Sequence, residues 1–131
     1  MIAAREIESL VDQIAKSCDP ERIILFGSYA YGTPNDDSDV DLMVVRRYRG
    51  DCAAAASRIR IGHDVKFPMD IVVRSPTEIQ RRLQMQDFFI MDVVEQGIVL
   101  HERDDQRVGQ QGRRRLRRRL NTAAVPKAQA A

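Results

Sequence analysis

Two aspartates one residue apart, Asp39 and Asp41, stand at the head of the apolar run Leu42-Met43-Val44-Val45. In an extended segment residues i and i+2 project from the same face, so both carboxylates point the same way at the mouth of a strand. Like charges this close repel unless something positive sits between them. A hard divalent cation such as Mg2+ suits that position, because it prefers a few carboxylates together with phosphate oxygens and water. Upstream, Gly27-Ser28 ends another apolar run, Ile23-Ile24-Leu25-Phe26, and ten residues separate Ser28 from Asp39. A glycine lets the backbone come very close to a ligand, and the Ser28 hydroxyl can add a hydrogen bond to an anion held there. A third aspartate, Asp70, leads Ile71-Val72-Val73 just as Asp41 leads its own run. Three aspartates, each at the start of a different part of a sheet, can converge on one point. The plainer alternatives are a polar turn decorated by the acidic run Asp36 to Asp41, a solvent-facing Asp70, and a Ser28 that only caps a helix. An isolated Asp-x-Asp favours the turn; Gly27-Ser28 at this distance favours the metal site.

The elements that must position these residues are readable from periodicity. Ile7, Leu10, Val11 and Ile14 fall at helical spacing and predict an amphipathic helix over 3–18, stopped by Asp19-Pro20. Residues 22–26 read as a buried strand, Tyr29-Ala30-Tyr31 as the start of a short helix, and residues 33–38 as a polar turn that returns the chain to Asp39. Such a helix start offers unpaired N–H groups to a phosphate. Residues 41–45 form the second strand. Asp51 caps an alanine-rich helix to about Ile61, and the third strand lies within 65–73. Ser75-Pro76-Thr77-Glu78 is a capping-box helix start. The apolar stripe from Ile79 through Val94, with a bend near Gln86, places the Met and Phe residues between 85 and 91 in the core. Gly97 ends that region, and Ile98-Val99-Leu100 is a short last strand. Tyr29 and Tyr31 read as packing or rim residues. Arg46, Arg47 and Lys66 are possible triphosphate contacts.

The 131 residues suit one domain with a modest core. No apolar run approaches the length of a membrane span, and the N-terminus lacks an apolar signal core. Cys18 and Cys52 have no metal-ligand spacing and fit reduced thiols in a cytoplasmic protein. The net charge of +2 conceals an asymmetry: residues 1–102 carry −5 and residues 103–131 carry +7. From Arg103 onward the core signals stop, and residues 103–131, with the tract RRRLRRRL at 113–120, read as a basic, flexible tail. Its six arginines could contact nucleic acid non-specifically, or dock on an acidic protein surface.

The constellation of strand, Gly27-Ser28, Tyr29-Ala30-Tyr31-Gly32, Ser38-Asp39-Val40-Asp41-Leu42 and a third strand with Asp70 resembles the DNA polymerase beta-type nucleotidyltransferase superfamily. Within it, the chain is most similar to the minimal nucleotidyltransferases, over roughly residues 5–102. The resemblance implies an α/β fold, a small mixed sheet flanked by helices in a palm-like arrangement, with a nucleotidyltransferase domain at 1–102. It implies that Asp39, Asp41 and Asp70 are the catalytic and metal-holding acids. Asp39 and Asp41 hold Mg2+ against a nucleoside triphosphate, expected to be ATP. Asp70 shares a metal ion or takes the acceptor's proton, and Gly27 and Ser28 grip the phosphates. It also implies a partner, since small proteins of this kind commonly act as antitoxins against a HEPN-domain ribonuclease toxin, by binding it or by transferring AMP to it. The rival readings are a small-molecule acceptor such as an aminoglycoside, and a pure binding module.

Overall fold

Alternation along four strands gives the sheet two apolar faces, and each face recruits its own helices. The structure is a computed structural model, and it describes residues 1–124. The strands are β1 (Arg22–Phe26), β2 (Val40–Val45), β3 (Met69–Arg74) and β4 (Ile98–Glu102). Their order across the sheet is β3-β2-β1-β4; β1 runs antiparallel to β2 and β4, and β2 runs parallel to β3. The sheet is therefore mixed and small, as expected.

On one face Ile23, Leu25, Leu42, Val44, Ile71, Val73, Ile98 and Leu100 are buried beneath three longer helices. These are α1 (Ala4–Cys18), α3 (Cys52–Ile61) and α6 (Gln106–Ala124). The four-residue α2 (Ser28–Tyr31) tucks Tyr29 and Ala30 into the same core. Helix α1 contributes Ile7, Leu10, Val11 and Ile14, the stripe that its periodicity requires. Helix α3 starts where Asp51 accepts from the Ala54 N–H at 2.7 Å. On the other face Ile24, Phe26, Met43 and Val45 pack against Ile90 and Val93 of α5 (Phe88–Gln96). Helix α4 (Pro76–Gln84) begins with the Ser75/Glu78 capping box and adds Ile79 and Leu83.

Two expectations are corrected. Met85, Phe88 and Phe89 are not core residues: Met85 is 71% and Phe88 81% exposed. Helix α4 stops at Gln84, Gln86 turns through φ 57°, and α5 restarts with Asp87 as its cap. That left-handed turn resets the helical phase, so the stripe does not continue across it. Phe89 remains 42% exposed while its ring meets Phe26 edge-on at 5.5 Å.

The second correction concerns the C-terminal region. Expected as a flexible tail, it contains the 19-residue helix α6, packed on β4 and α1. Gly109, Gly112, Leu116 and Leu120 form a narrow buried strip between the arginines. A Cβ added at Gly112 would stand 1.7 Å from the Val99 carbonyl oxygen, so the helix rests directly on the β4 backbone. The arginines beside the strip are held by partners. Arg113 donates to Asp12 at 2.8 Å and to the Leu100 carbonyl at 3.0 Å. Arg117 forms a two-point pair with the buried Glu8 carboxylate, at 2.9 and 2.5 Å. The remainder of the expected tail, residues 125–131, lies outside the described residues.

This contact gives a direct test of α6 packing. Gly112→Val forces the helix off β4 and is expected to cost about 1–3 kcal/mol, the usual penalty for overpacking. Thermal unfolding measures it, and a wild-type midpoint would contradict the close packing of α6 on β4.

Candidate active site

The register of the sheet brings two of the three aspartates side by side. Phe26 pairs with Asp41 across β1 and β2, and Asp41 pairs with Asp70 across β2 and β3. All three belong to the alternation set of Met43, Val45 and Val72, on the face covered by α4 and α5. Asp39 lies two residues before Asp41, just outside the strand, and is exposed. Asp70 opens the exposed edge of β3, with Arg60 of α3 at 3.9 Å from its carboxylate.

Gly27 makes the tightest approach to this group. Its φ is +74°, and a Cβ built there would lie 2.1 Å from Asp41 Oδ2. No side chain fits between the turn and the carboxylate, so glycine is required both by conformation and by space. Beyond it, the Ala30 and Tyr31 N–H groups donate to the Gly27 carbonyl at 3.0 Å. The Ser28 and Tyr29 N–H groups stand at the helix start and have no acceptor among the described residues.

Burial and crowding act on Asp41 in one direction. Its carboxyl is pushed up to about 6, first by burial and then by the charges of Asp70 and Asp39. Among the described residues no cation or hydrogen-bond donor engages Asp41 or Asp39. The three acids thus share one field. They are not gathered into a ready three-ligand cluster: among the described residues no group of three His, Cys, Asp or Glu side chains is arranged to hold a metal ion. Arg60 lies against one member, and Asp39 stands outside the strand.

A residue that sequence reasoning missed supports the turn from behind. Arg119 of α6 donates through Nε to the Tyr29 carbonyl at 2.9 Å and through Nη2 to the carbonyls of Ser28, at 3.2 Å, and Gly32. One guanidinium thereby gathers three backbone acceptors of α2. The only signal for it in the sequence was the Gly112-Leu116-Leu120 spacing, which fixes the face that Arg119 borders. Arg46 and Arg47, considered as triphosphate contacts, follow Val45 at the opposite end of β2 from Asp41. Lys66 is exposed in the segment leading to β3.

Comparison with known proteins agrees with this arrangement. The polymerase beta nucleotidyltransferase family model matches residues 8–106. The chain belongs to that family. A crystal structure from Sulfolobus solfataricus, itself provisionally described as a nucleotidyltransferase, superposes with a TM-score of 0.53 at 21% identity. The match covers 78% of this chain and 82% of that one, and it shows the shared fold. No curated protein matches the chain at a significant level. As a family member the chain carries a nucleotidyltransferase domain, and nucleotidyltransferases of this family generally use a divalent metal and a nucleoside triphosphate. No helix among the described residues is long and apolar enough to cross a membrane.

The raised carboxyl of Asp41 has a measurable consequence. In the folded protein it titrates near 6, against an ordinary value of 3.8, so the folded state holds the proton more tightly than the unfolded one. Its contribution therefore destabilises the metal-free protein increasingly as pH rises from about 4 to above 6. Asp41→Asn without divalent ions is expected to raise the unfolding midpoint by a few degrees at pH 8 and to leave it near wild type at pH 4. A variant less stable than wild type at pH 8 would remove the electrostatic strain from the account.

Proposed function

We propose that this chain is a Mg2+-dependent nucleotidyltransferase that moves AMP from ATP to a hydroxyl of a partner protein, and that the partner is a HEPN-domain toxin which it counters as an antitoxin. The observation that carries the catalytic part is the Asp41–Asp70 register with Gly27 pressed against Asp41. A half-buried Asp41 carboxyl crowded by the charges of Asp70 and Asp39, with no donor or cation on it, fits a hard divalent cation. Such an ion, when bound, neutralises phosphate charge and lowers the pKa of an attacking hydroxyl.

Asp39 and Asp41 are the residues that hold the ion in this reading, with Asp70 as the third acid. Asp70 either completes the ligand set or accepts the proton of the acceptor hydroxyl. The free N–H groups of Ser28 and Tyr29, with the Ser28 hydroxyl, bind the outer phosphates. The acceptor oxygen forms a bond to the α-phosphorus in line with the bridging oxygen. The α-phosphorus bond to that oxygen breaks, and pyrophosphate leaves with the electron pair. The acceptor's proton passes to Asp70 or to solvent.

A protein acceptor is supported by the surroundings of the site. Phe89 touches Phe26, which pairs with Asp41, and Met85 and Phe88, close before it in the chain, are also exposed. Exposed apolar residues grouped beside a reactive site suit docking of another protein surface.

Intact-protein mass spectrometry tests the reading. Mixed with Mg2+-ATP and a HEPN-domain partner, the protein is expected to add AMP units to the partner, and Asp39→Ala/Asp41→Ala is expected to add none. A stable complex without mass gain would shift the function to inhibition by binding. Modification of an aminoglycoside instead would replace the acceptor class.

Arg119 offers a second test. Arg119→Met loosens the turn without touching substrate, so KM for the triphosphate is expected to rise about tenfold while kcat changes by less than about twofold. Arg119→Lys should recover part of the loss. An unchanged KM would remove Arg119 from the positioning of the turn.

A further inference from the structure

The other end of β2 carries the opposite charge. After Val45 the chain continues as Arg46-Arg47-Tyr48-Arg49, and these residues line a cavity of about 930 Å³ together with Arg58 of α3 and His63. No aspartate or glutamate is among the residues that line it. Elsewhere, Arg22, Arg60, Arg82, Arg103, Arg107, Arg113 and Arg117 each have a carboxylate within 4.0 Å. Among the described residues Arg46, Arg47, Arg49 and Arg58 have none. Four uncompensated guanidinium groups facing one space raise its potential and attract anions.

The walls are tied in place. Tyr48 donates its hydroxyl to Glu78 at 2.6 Å and joins the loop to the capping box of α4. Arg58 donates to the Arg49 carbonyl at 3.4 Å, and Arg46 to the Arg47 carbonyl at 3.1 Å. Ser17 and His63, which also line the cavity, meet at 3.1 Å. Arg46 also bonds the Cys18 thiol on the cavity wall, while the guanidinium groups of Arg47 and Arg49 have no hydrogen-bond partner among the described residues and are left for a ligand. Guanidinium forks match phosphate oxygens two at a time, and the volume lies in the range of pockets for drug-sized ligands.

We propose that this cavity binds a small polyphosphate-bearing ligand without a divalent cation. The site is separate from the acid cluster. Arg46 lies five residues beyond Asp41 along an extended strand, about 16 Å away at ~3.3 Å per residue. It uses none of Gly27, Ser28, Asp39, Asp41 or Asp70.

Calorimetric titration of the full chain with inorganic tripolyphosphate in EDTA tests the site. One equivalent is expected to bind, and Arg47→Ser/Arg58→Ser is expected to weaken it about tenfold or more, as loss of charge-assisted hydrogen bonds requires. Asp39→Asn/Asp41→Asn should leave that equivalent in place, which separates this site from the catalytic reading. Displacement by ATP but not adenosine would identify nucleotides as the source of the phosphates. Displacement by neither would identify an inorganic polyphosphate, and both results support the site. Arg47→Glu alone, on an exposed side chain, repeats the test should the double variant fail to fold. No binding in EDTA, unchanged binding in the arginine variants, or loss in the aspartate variant would overturn the proposal. So would capture of single-stranded RNA that tripolyphosphate cannot displace.

Discussion

The chain leaving β1 must pass over a carboxylate. Phe26 is the register partner of Asp41, and the next residue, Gly27, sits so close that an added Cβ would lie 2.1 Å from Asp41 Oδ2. That contact sets two properties together. It excludes every other residue type at the turn, and it helps to strip water from Asp41. The carboxyl of Asp41 is raised because the backbone and two neighbouring acids surround it where solvent would otherwise screen it. The remaining architecture keeps this contact from relaxing. β2 is fixed between β1 and β3, and α2 is anchored through buried Tyr29 and Ala30.

Charge is sorted along β2. Its beginning gathers Asp39, Asp41 and Asp70; beyond its end come Arg46, Arg47 and Arg49. The arginines of α6 are used differently. Arg113, Arg117 and Arg119 are held by Asp12, Glu8 and backbone carbonyls, so much of the positive charge there serves internal attachment. A count of residues by region therefore misplaced the exposed positive charge, which is concentrated after β2 as well as on α6.

Much of the fold was legible because local and tertiary preferences agreed. The apolar run 22–26 is β1 residue for residue, Asp51 caps α3, and Ser75-Pro76-Thr77-Glu78 starts α4 through both bonds of its capping box. The strand order and the Asp41–Asp70 pairing were not legible, since register depends on contacts between distant segments. The pattern also broke at Gln86, where one left-handed residue rotated the following stripe and left Phe88 outside. Helix α6 was hidden by composition. Its buried strip is built partly from glycines, which carry no hydrophobic signal, and its long side chains span from partner to solvent. The site residues were suggested by type and spacing, whereas Arg119 acts through backbone atoms that no motif records.

The attachment of Arg119 also orders events in time. The carbonyls of Ser28, Tyr29 and Gly32 belong to the first third of the chain, and their clamp lies 87 to 91 residues later. During synthesis, the turn and the acid-bearing strands β2 and β3 emerge well before α6. A ribosome-bound or prematurely terminated chain would present the acids and the turn without the guanidinium that gathers the turn's carbonyls. The turn is thus closed by a helix that follows every strand of the sheet in the chain.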